Sequence, residues 1–193
     1  MSSLRNSAKE AHIDAAKASI LDIGWRRTTL TEVARRAGVS RMTIYRHWDD
    51  RERLLADLMT REWVAILEKA SANSQDDQSL DGFIDLALSV VEGLRRNPLL
   101  RRILELDPEM VMPYILQRTG RSQKAMLELL EARIRLVQAN GQMRAGEAEV
   151  LARTVALMLE GLLLSVDTMK GRGITRAKLI EECRETLMRG LSK

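Results

Sequence analysis

A chain of 193 residues, 45% hydrophobic and 30% charged, is long enough for one good-sized core or for a small domain beside a larger one, and too apolar to be disordered. Only three Pro and eleven Gly interrupt long apolar stripes, and clusters of β-branched residues with period-two alternation are absent, which favours helices nearly throughout and excludes a sheet. The net charge of +4 is unevenly placed: residues 1–53 carry 11 Lys and Arg against 7 Asp and Glu, while the remainder balances, so the whole excess sits at the N-terminal end, where it suits phosphate.

In chain order, Met1–Asn6 reads as a polar arm, with Arg5 either reaching for DNA or simply frayed. The spacing of Ile13, Ala16, Ile20 and Ile23 predicts a first helix over about 7–23, ended by Gly24, with Trp25 at the edge of its core. Arg26 and Arg27 lie in the following loop, well placed for phosphates. Thr29 then caps a second helix, with Glu32 three residues on to complete a capping box. Val33 and Ala34 face a core while Arg35 and Arg36 stay in water, and Gly38 supplies the positive φ of a helix end. Ser40 caps a third, short helix whose Ile44 and Trp48 share a buried stripe. Its other faces carry Arg41, Met42, Thr43, Tyr45, Arg46 and His47, with no acid before Asp49. Two helices about a tight turn, the second apolar behind and rich in donors in front, suit a DNA major groove, although the same geometry occurs in plain helical proteins.

Asp49 and Glu52 predict a second capping box at the start of a helix running from about 50 to 69, long enough to act as a lever into the next domain. Arg51, near its start, could touch a phosphate, as could the free N–H groups there. Residues 70–79 read as a linker. A fifth helix follows to about residue 96, with Phe83, Ile84, Ala87, Leu88, Val91 and Leu94 on one side. Asn97-Pro98 starts a short sixth helix, Asp107-Pro108 repeats the device, and Pro113 makes 109–119 irregular. A seventh helix over about 121–139 carries the stripe Ala125, Leu129, Ala132 and Leu136 and ends at Asn140-Gly141. The eighth, about 147–169, is apolar nearly all round and must be buried on several sides. Gly171-Arg172-Gly173 turns the chain, and Thr175 caps a ninth helix carrying Leu179, Ile180, Cys183, Leu187 and Leu191.

Cys183 is the single cysteine, so an internal disulfide is excluded, and with no CxxC there is no zinc motif. A lone thiol, no apolar leader and no 18-residue apolar run together predict a cytoplasmic chain without a membrane span. His12 and His47 belong to no recognisable catalytic motif, and HExxH, phosphate-loop and GxSxG patterns are absent; the expectation is no enzyme and no cofactor.

Ala15-Ala16, Gly24, Thr28-Thr29, Val33-Ala34, Ala37-Gly38-Val39-Ser40, Thr43-Ile44-Tyr45, His47-Trp48 and Leu54-Leu55 together resemble the N-terminal signature of the TetR family of one-component transcriptional repressors. The likeness covers about the first 60 residues without a gap; Trp48 and Asp49-Asp50-Arg51 depart from the usual pattern, and beyond it only helical rhythm matches. The resemblance implies an all-α fold of about nine helices, with a helix-turn-helix DNA-binding domain over 1–53 and an effector-binding and dimerisation domain over 54–193. It implies contacts to a palindromic operator in double-stranded DNA from Arg41, Met42, Thr43, Tyr45, Arg46 and His47, with backbone contacts from Thr29, Thr31 and Arg51. Arg41 and Arg46 suit guanine edges or phosphate, Met42 or the Thr43 methyl a thymine methyl, and Thr29 serves as cap, as DNA contact or as both. A homodimer through the last two helices, about 147–169 and 175–191, is implied as well, against the plainer reading of those helices as one monomer's core. So is release from DNA by a small-molecule effector of unknown identity. Residues suited to lining its pocket are Trp63, Leu67, Phe83, Val90, Met126, Leu130 and Met158, each of which fits a core equally, with Tyr114 and Glu160 as polar groups. Glu160 needs a partner on its apolar face. The alternative to a regulator is a non-regulatory helical adaptor whose basic end binds a partner.

Overall fold

The computed structural model describes residues 2–72 and 78–193, with side chains from residue 7 onward. The described chain is helical: α1 (Ser2–Ile23), α2 (Leu30–Ala37), α3 (Arg41–Tyr45), α4 (Arg51–Ala72), α5 (Leu80–Arg96), α6 (Pro98–Leu106), a 3-10 turn (Pro108–Met110), α7 (Met112–Leu116), α8 (Arg121–Ala139), α9 (Ala148–Ser165) and α10 (Arg176–Leu191). The described residues form ten α-helices where about nine were expected, because the stretch 109–119, expected to be irregular, holds a short helix with Pro113 in its first turn, where its missing N–H costs nothing. The start of α1 at Ser2 absorbs the expected polar arm into the helix, and the side chain of Arg5 lies outside the described part. Of the expected linker 70–79, residues 70–72 finish α4 and 73–77 lie outside the described residues. No helix among the described residues is long and apolar enough to cross a membrane.

The chain divides into two compact units, Met1–Val64 with Arg96–Ser122, and Ala65–Arg95 with Gln123–Lys193. That division is not the expected one at 53/54. Leu99 and Ile103 of α6 are buried in the same cluster as Ile13, Ile20, Trp25, Val33, Ile44 and Leu58, so α6 completes the core of the N-terminal unit. Trp25, expected at the edge, is fully buried. Gly24, at φ 83°, turns the chain inward there, and the Trp25 amide donates to Asp107 Oδ2 at 2.8 Å. Asp107 is therefore not the cap that Asp107-Pro108 suggested: it makes no side-chain cap bond and is itself buried. Asn97 does cap α6, its Oδ1 accepting from the Leu100 amide at 3.0 Å. At the start of α4 the cap is Asp50, accepting from the Arg53 amide at 2.7 Å; Asp49 turns to the Arg53 guanidinium and Glu52 to Arg51, so the expected box does not form.

In the second unit α5, α8, α9 and α10 enclose a core that includes Phe83, Ile84, Val91, Ile134, Val137, Leu151, Val155, Leu187 and Leu191. Burying one such side chain is worth about 1.5–3 kcal/mol. The expected α8 stripe faces the other way: Leu129 is 55% and Leu136 46% exposed, while Leu130, Ile134 and Val137 turn inward. On α9, Val150 and Leu157 are likewise exposed. On α10, Cys183, Leu187, Met188 and Leu191 pack into their own unit, Leu179 and Ile180 are half-buried, and the exposed positions are Arg176, Ala177, Lys178, Glu181, Glu182, Thr186, Arg189 and Gly190. Exposed large apolar side chains of this unit thus include two on α8 and two on α9, of which α9 is one of the two helices expected at a dimer interface. Arg184 ties α10 to Asp81 and Asp85 of α5. Arg176, Arg95 and Lys170 gather round Asp167 and hold its carboxyl well below the usual carboxylate range.

Candidate nucleic-acid interface

The interface is built from local backbone chemistry outward. Thr29, in an extended conformation, accepts the Glu32 amide on its hydroxyl oxygen at 3.1 Å and starts α2. Only this half of the expected capping box exists. The Glu32 carboxylate turns instead to Arg35 and Arg36 at 2.6–2.8 Å, and these hydrogen bonds, Arg35's foremost, lower its pKa to about 2. Gly38, at φ 66°, ends α2 with its N–H directed to the carbonyls of Ala34 and Arg35, and Val39 N–H joins Ala34. Ser40 then caps α3: its Oγ accepts the Thr43 amide at 3.2 Å and bonds Thr43 Oγ1 at 2.9 Å. Behind α3, Ile44 is fully buried and Trp48 nearly so, and the Trp48 indole donates to Asp57 Oδ2 at 3.1 Å.

With that anchor in place the opposite face of α3 is open. Met42 is 65% and Tyr45 45% exposed, and Arg41, Arg46 and His47 are exposed beside them. Electrostatics singles out a few of the cations. In this unit Arg35 and Arg36 are bound to Glu32, Arg36 also to Asp22, Arg53 to Asp49, Lys9 to Asp57 and Arg61 to Glu10 and Asp14. Arg26, expected to face phosphate, instead pairs with Glu109 at 2.6 Å and lies 3.8 Å from Asp107. Arg27, Arg41 and Arg46 alone among the described arginines of the first 64 residues have no carboxylate partner. Two of these three flank α3, so the uncompensated charge sits where a short, exposed, donor-rich helix presents itself.

The other expected DNA contacts are more committed to the fold. Thr31 and Thr43 are half-buried, and the Thr43 hydroxyl is engaged by Ser40. The hydroxyl of Thr29 accepts at the cap, which leaves its O–H free to donate outward. Arg51 lies over the Trp25 ring at 5.2 Å, donates to the Arg26 carbonyl at 3.3 Å and pairs with Glu52 at 3.1 Å. The His47 ring leans 5.4 Å from both His12 and Trp48. Burial first, and the neighbouring His47 second, push the His12 imidazole below its ordinary value.

The expected pocket residues separate between the two units. Trp63 is half-buried on α4; Tyr114 is exposed on α7, with the Arg118 guanidinium 4.9 Å from its ring. Phe83 is buried in the core of the second unit and Leu130 and Met158 pack on it, while Leu67, Val90 and Met126 are half-buried. Glu160 finds its partner within the chain, accepting from Gln123 Nε2 at 3.3 Å. Sequence reasoning missed Glu62, buried against Lys17 Nζ at 2.8–2.9 Å and Asn97 Nδ2 at 2.9 Å, and Asp107. A charged residue at a core-facing helical position was the available signal for Glu62; for Asp107 the capping pattern pointed elsewhere.

Comparison with known proteins agrees with this arrangement. Residues 13–58 match the model of the bacterial regulatory proteins of the tetR family. An uncharacterized HTH-type transcriptional regulator of Mycobacterium bovis is 35% identical over 153 residues, which cover 79% of this chain and 78% of that one. Among solved structures, the transcriptional repressor QsdR of R. erythropolis superposes with a TM-score of 0.68 at 19% identity, covering 97% of each chain. A Saccharomonospora viridis protein solved in complex with choline superposes at 0.63 and 18%, covering 97% of this chain and 99% of that one. At such identities these two structures speak for the fold alone.

Proposed function

The chain belongs to the tetR family of bacterial regulatory proteins and is a transcriptional regulator with a DNA-binding helix-turn-helix, and from that premise we propose that it is a repressor released from a palindromic operator by a small molecule. The observation that carries the DNA half is the exposed face of α3: Met42 and Tyr45 turned outward and the unpaired guanidinium groups of Arg41 and Arg46 beside them, on a helix capped at Ser40 and anchored by Ile44. Arg41 and Arg46 grip guanine edges or phosphate, Met42 meets a thymine methyl, and Tyr45, His47, Thr29 and Thr31 reach backbone oxygens. Arg51 stiffens the turn under Trp25 and presents what remains of its fork to phosphate.

One such helix reads only a few base pairs, so two copies about 34 Å apart are required for a specific site. Dimerisation is proposed through α8 and α9. Ala125, Leu129, Ala132 and Leu136 follow one another at steps of 4, 3 and 4 residues on α8, and Val150, Thr154, Leu157 and Gly161 do the same on α9; all eight are exposed. That spacing is the seam of a helical bundle, and a two-fold axis turns two such seams into four packed helices. The effector is proposed to bind in the second unit, where Met126, Met158, Leu130, Val90 and Leu67 offer adaptable, partly exposed apolar surface and the Gln123–Glu160 pair offers polar contacts. It would favour one arrangement of the reading heads over another, opposing DNA by a coupling energy of about 1–3 kcal/mol. The test is selection of bound duplexes from a random pool, followed by a salt titration of the selected and a random sequence. A repressor shows a steep slope and a gap of a thousandfold or so between the two sequences; an adaptor shows neither. A small molecule that binds the protein without altering operator affinity refutes the release step.

A further inference from the structure

Between α1 and α2 the chain makes a buried turn that is tied more tightly than a loop requires. Thr28 Oγ1 donates to the Gly24 carbonyl at 2.8 Å and bonds Ser19 Oγ at 3.0 Å, and Thr28 N–H joins the Trp25 carbonyl. Ser19, Trp25 and Thr28 are each at most 1% exposed. The next residue, Thr29, is the cap of α2, and α2 carries α3 through Gly38. The turn therefore sets where the reading helix starts. It is held from a distant part of the sequence. Asp107, at the end of α6 and only 3% exposed, accepts the Trp25 N–H at 2.8 Å. A Cβ on Gly24 would sit 3.2 Å from Asp107 Oδ2 and 3.2 Å from Leu106 Cδ1, so the two segments are in close contact. Arg102 Nη2 donates to the Asp22 carbonyl at 3.1 Å, and Arg26 binds Glu109 on the same side.

We propose that Asp107 is a positioning residue for DNA recognition: its carboxylate fixes the α1–α2 turn and thereby the placement of α3. The carboxylate touches no DNA. It satisfies a backbone donor that is otherwise orphaned in the core, and it holds that donor at one height relative to α6. Losing it lets the turn relax, which displaces α2 and α3 together while leaving Arg41, Arg46 and Tyr45 on the surface. Sequence-specific contacts suffer from such a displacement; non-specific attraction to phosphate does not. The inference rests on the reading of α3 as the DNA-reading helix.

The experiment uses full-length Asp107→Ala, Asp107→Asn and Asp107→Glu chains and two duplexes, one selected by the parent and one random, titrated by fluorescence anisotropy at a single salt concentration. Asp107→Ala should bind the selected duplex about tenfold more weakly, with the random duplex changed less than about twofold. Asp107→Asn, whose side-chain oxygen accepts the same N–H, should stay within about threefold of the parent on both. A merely structural residue lowers the folded fraction and so weakens both duplexes by one common factor; that result overturns the proposal, as does parent-like binding by Asp107→Ala or an Asp107→Asn chain as impaired as Asp107→Ala. Should Asp107→Ala fail to fold, Asp107→Glu decides: it keeps the charge but moves the oxygens out by one methylene, and an unchanged ratio of selected to random affinity overturns the proposal. A parent that selects no duplex sinks the DNA reading itself, an outcome distinct from all of these.

Discussion

Arginines on adjacent surfaces of the N-terminal unit should behave very differently when removed. Arg41 and Arg46 have no carboxylate partner, whereas Arg35 is held by both oxygens of Glu32 at 2.7–2.8 Å. Each phosphate neutralised contributes about 0.9 to the slope of log affinity against log salt. In a dimer one substitution removes two contacts, so Arg41→Ala or Arg46→Ala should flatten the slope by about 1.8. Between 50 and 200 mM salt that is a factor of about ten, so the gap between parent and variant should narrow about tenfold across the range. Where an arginine instead grips a guanine edge, the loss is of about 1–3 kcal/mol, nearly independent of salt, and specific to one base pair. Arg35→Ala removes a charge already matched by Glu32, which keeps Arg36, so its effect should be under about threefold at any salt. Anisotropy titrations of a selected duplex at four or five salt concentrations measure all three. Equal losses for Arg35→Ala and Arg46→Ala would refute the argument from unpaired charge, as would an Arg41→Ala, Arg46→Ala double variant that binds like the parent.

Thr29→Ala removes the acceptor at the start of α2 and should cost about 1 kcal/mol in denaturant unfolding, against a small change for Thr31→Ala. Acid should weaken the same helix. Glu32 titrates at about 2 when folded against 4.5 when free, so its contribution is present above about pH 4.5 and is lost as pH falls through 2; in Glu32→Gln melts this part of the pH dependence should vanish. Leu129→Glu on α8 or Leu157→Glu on α9 should convert a dimer to a folded monomer in sedimentation, while Glu181→Ala on α10 leaves it intact; a dimer that survives both leucine changes removes α8 and α9 from the interface.

What could be read from the sequence was whatever is decided within a few residues. Thr29, Gly38 and Ser40 act on amides three or four positions away, and Ile44 with Trp48 repeats at one helical turn, so the helix-turn-helix and its outward face followed from spacing. Where two local solutions compete, spacing could not choose. Asp49 and Asp50 are both acceptable caps for α4, and the winner depends on which carboxylate the Arg53 guanidinium takes. The α8 sequence carries two apolar stripes of equal quality, one through Leu129 and Leu136 and one through Leu130, Ile134 and Val137; only the position of the neighbouring helices decides which turns inward. Interactions across long separations were invisible. Trp25 with Asp107 spans 82 positions and Lys17 with Glu62 spans 45, and for Asp107 a capping pattern offered a plausible local role in place of the true one.

Those long-range pairs also change what the charge count means. Residues 1–53 sum to +4, a value that a solvated basic surface would match. Paired in three dimensions, Arg26 is drawn to Glu109, Arg36 to Asp22 and Glu32, and Arg53 to Asp49, which silences positive charge on the flanks of the unit. Among the described residues of this stretch, Arg27, Arg41 and Arg46 are the arginines without a carboxylate partner. An approaching duplex responds to the local potential within about 10 Å at ordinary salt and not to the sum over a domain. Neutralising the flanks therefore sharpens the contrast at α3: phosphates gain most when that helix faces the groove and little when the unit docks on another side. By this reasoning the acids of the N-terminal unit contribute to DNA recognition too, by matching Arg26, Arg35, Arg36 and Arg53 and leaving Arg41 and Arg46 unmatched beside α3.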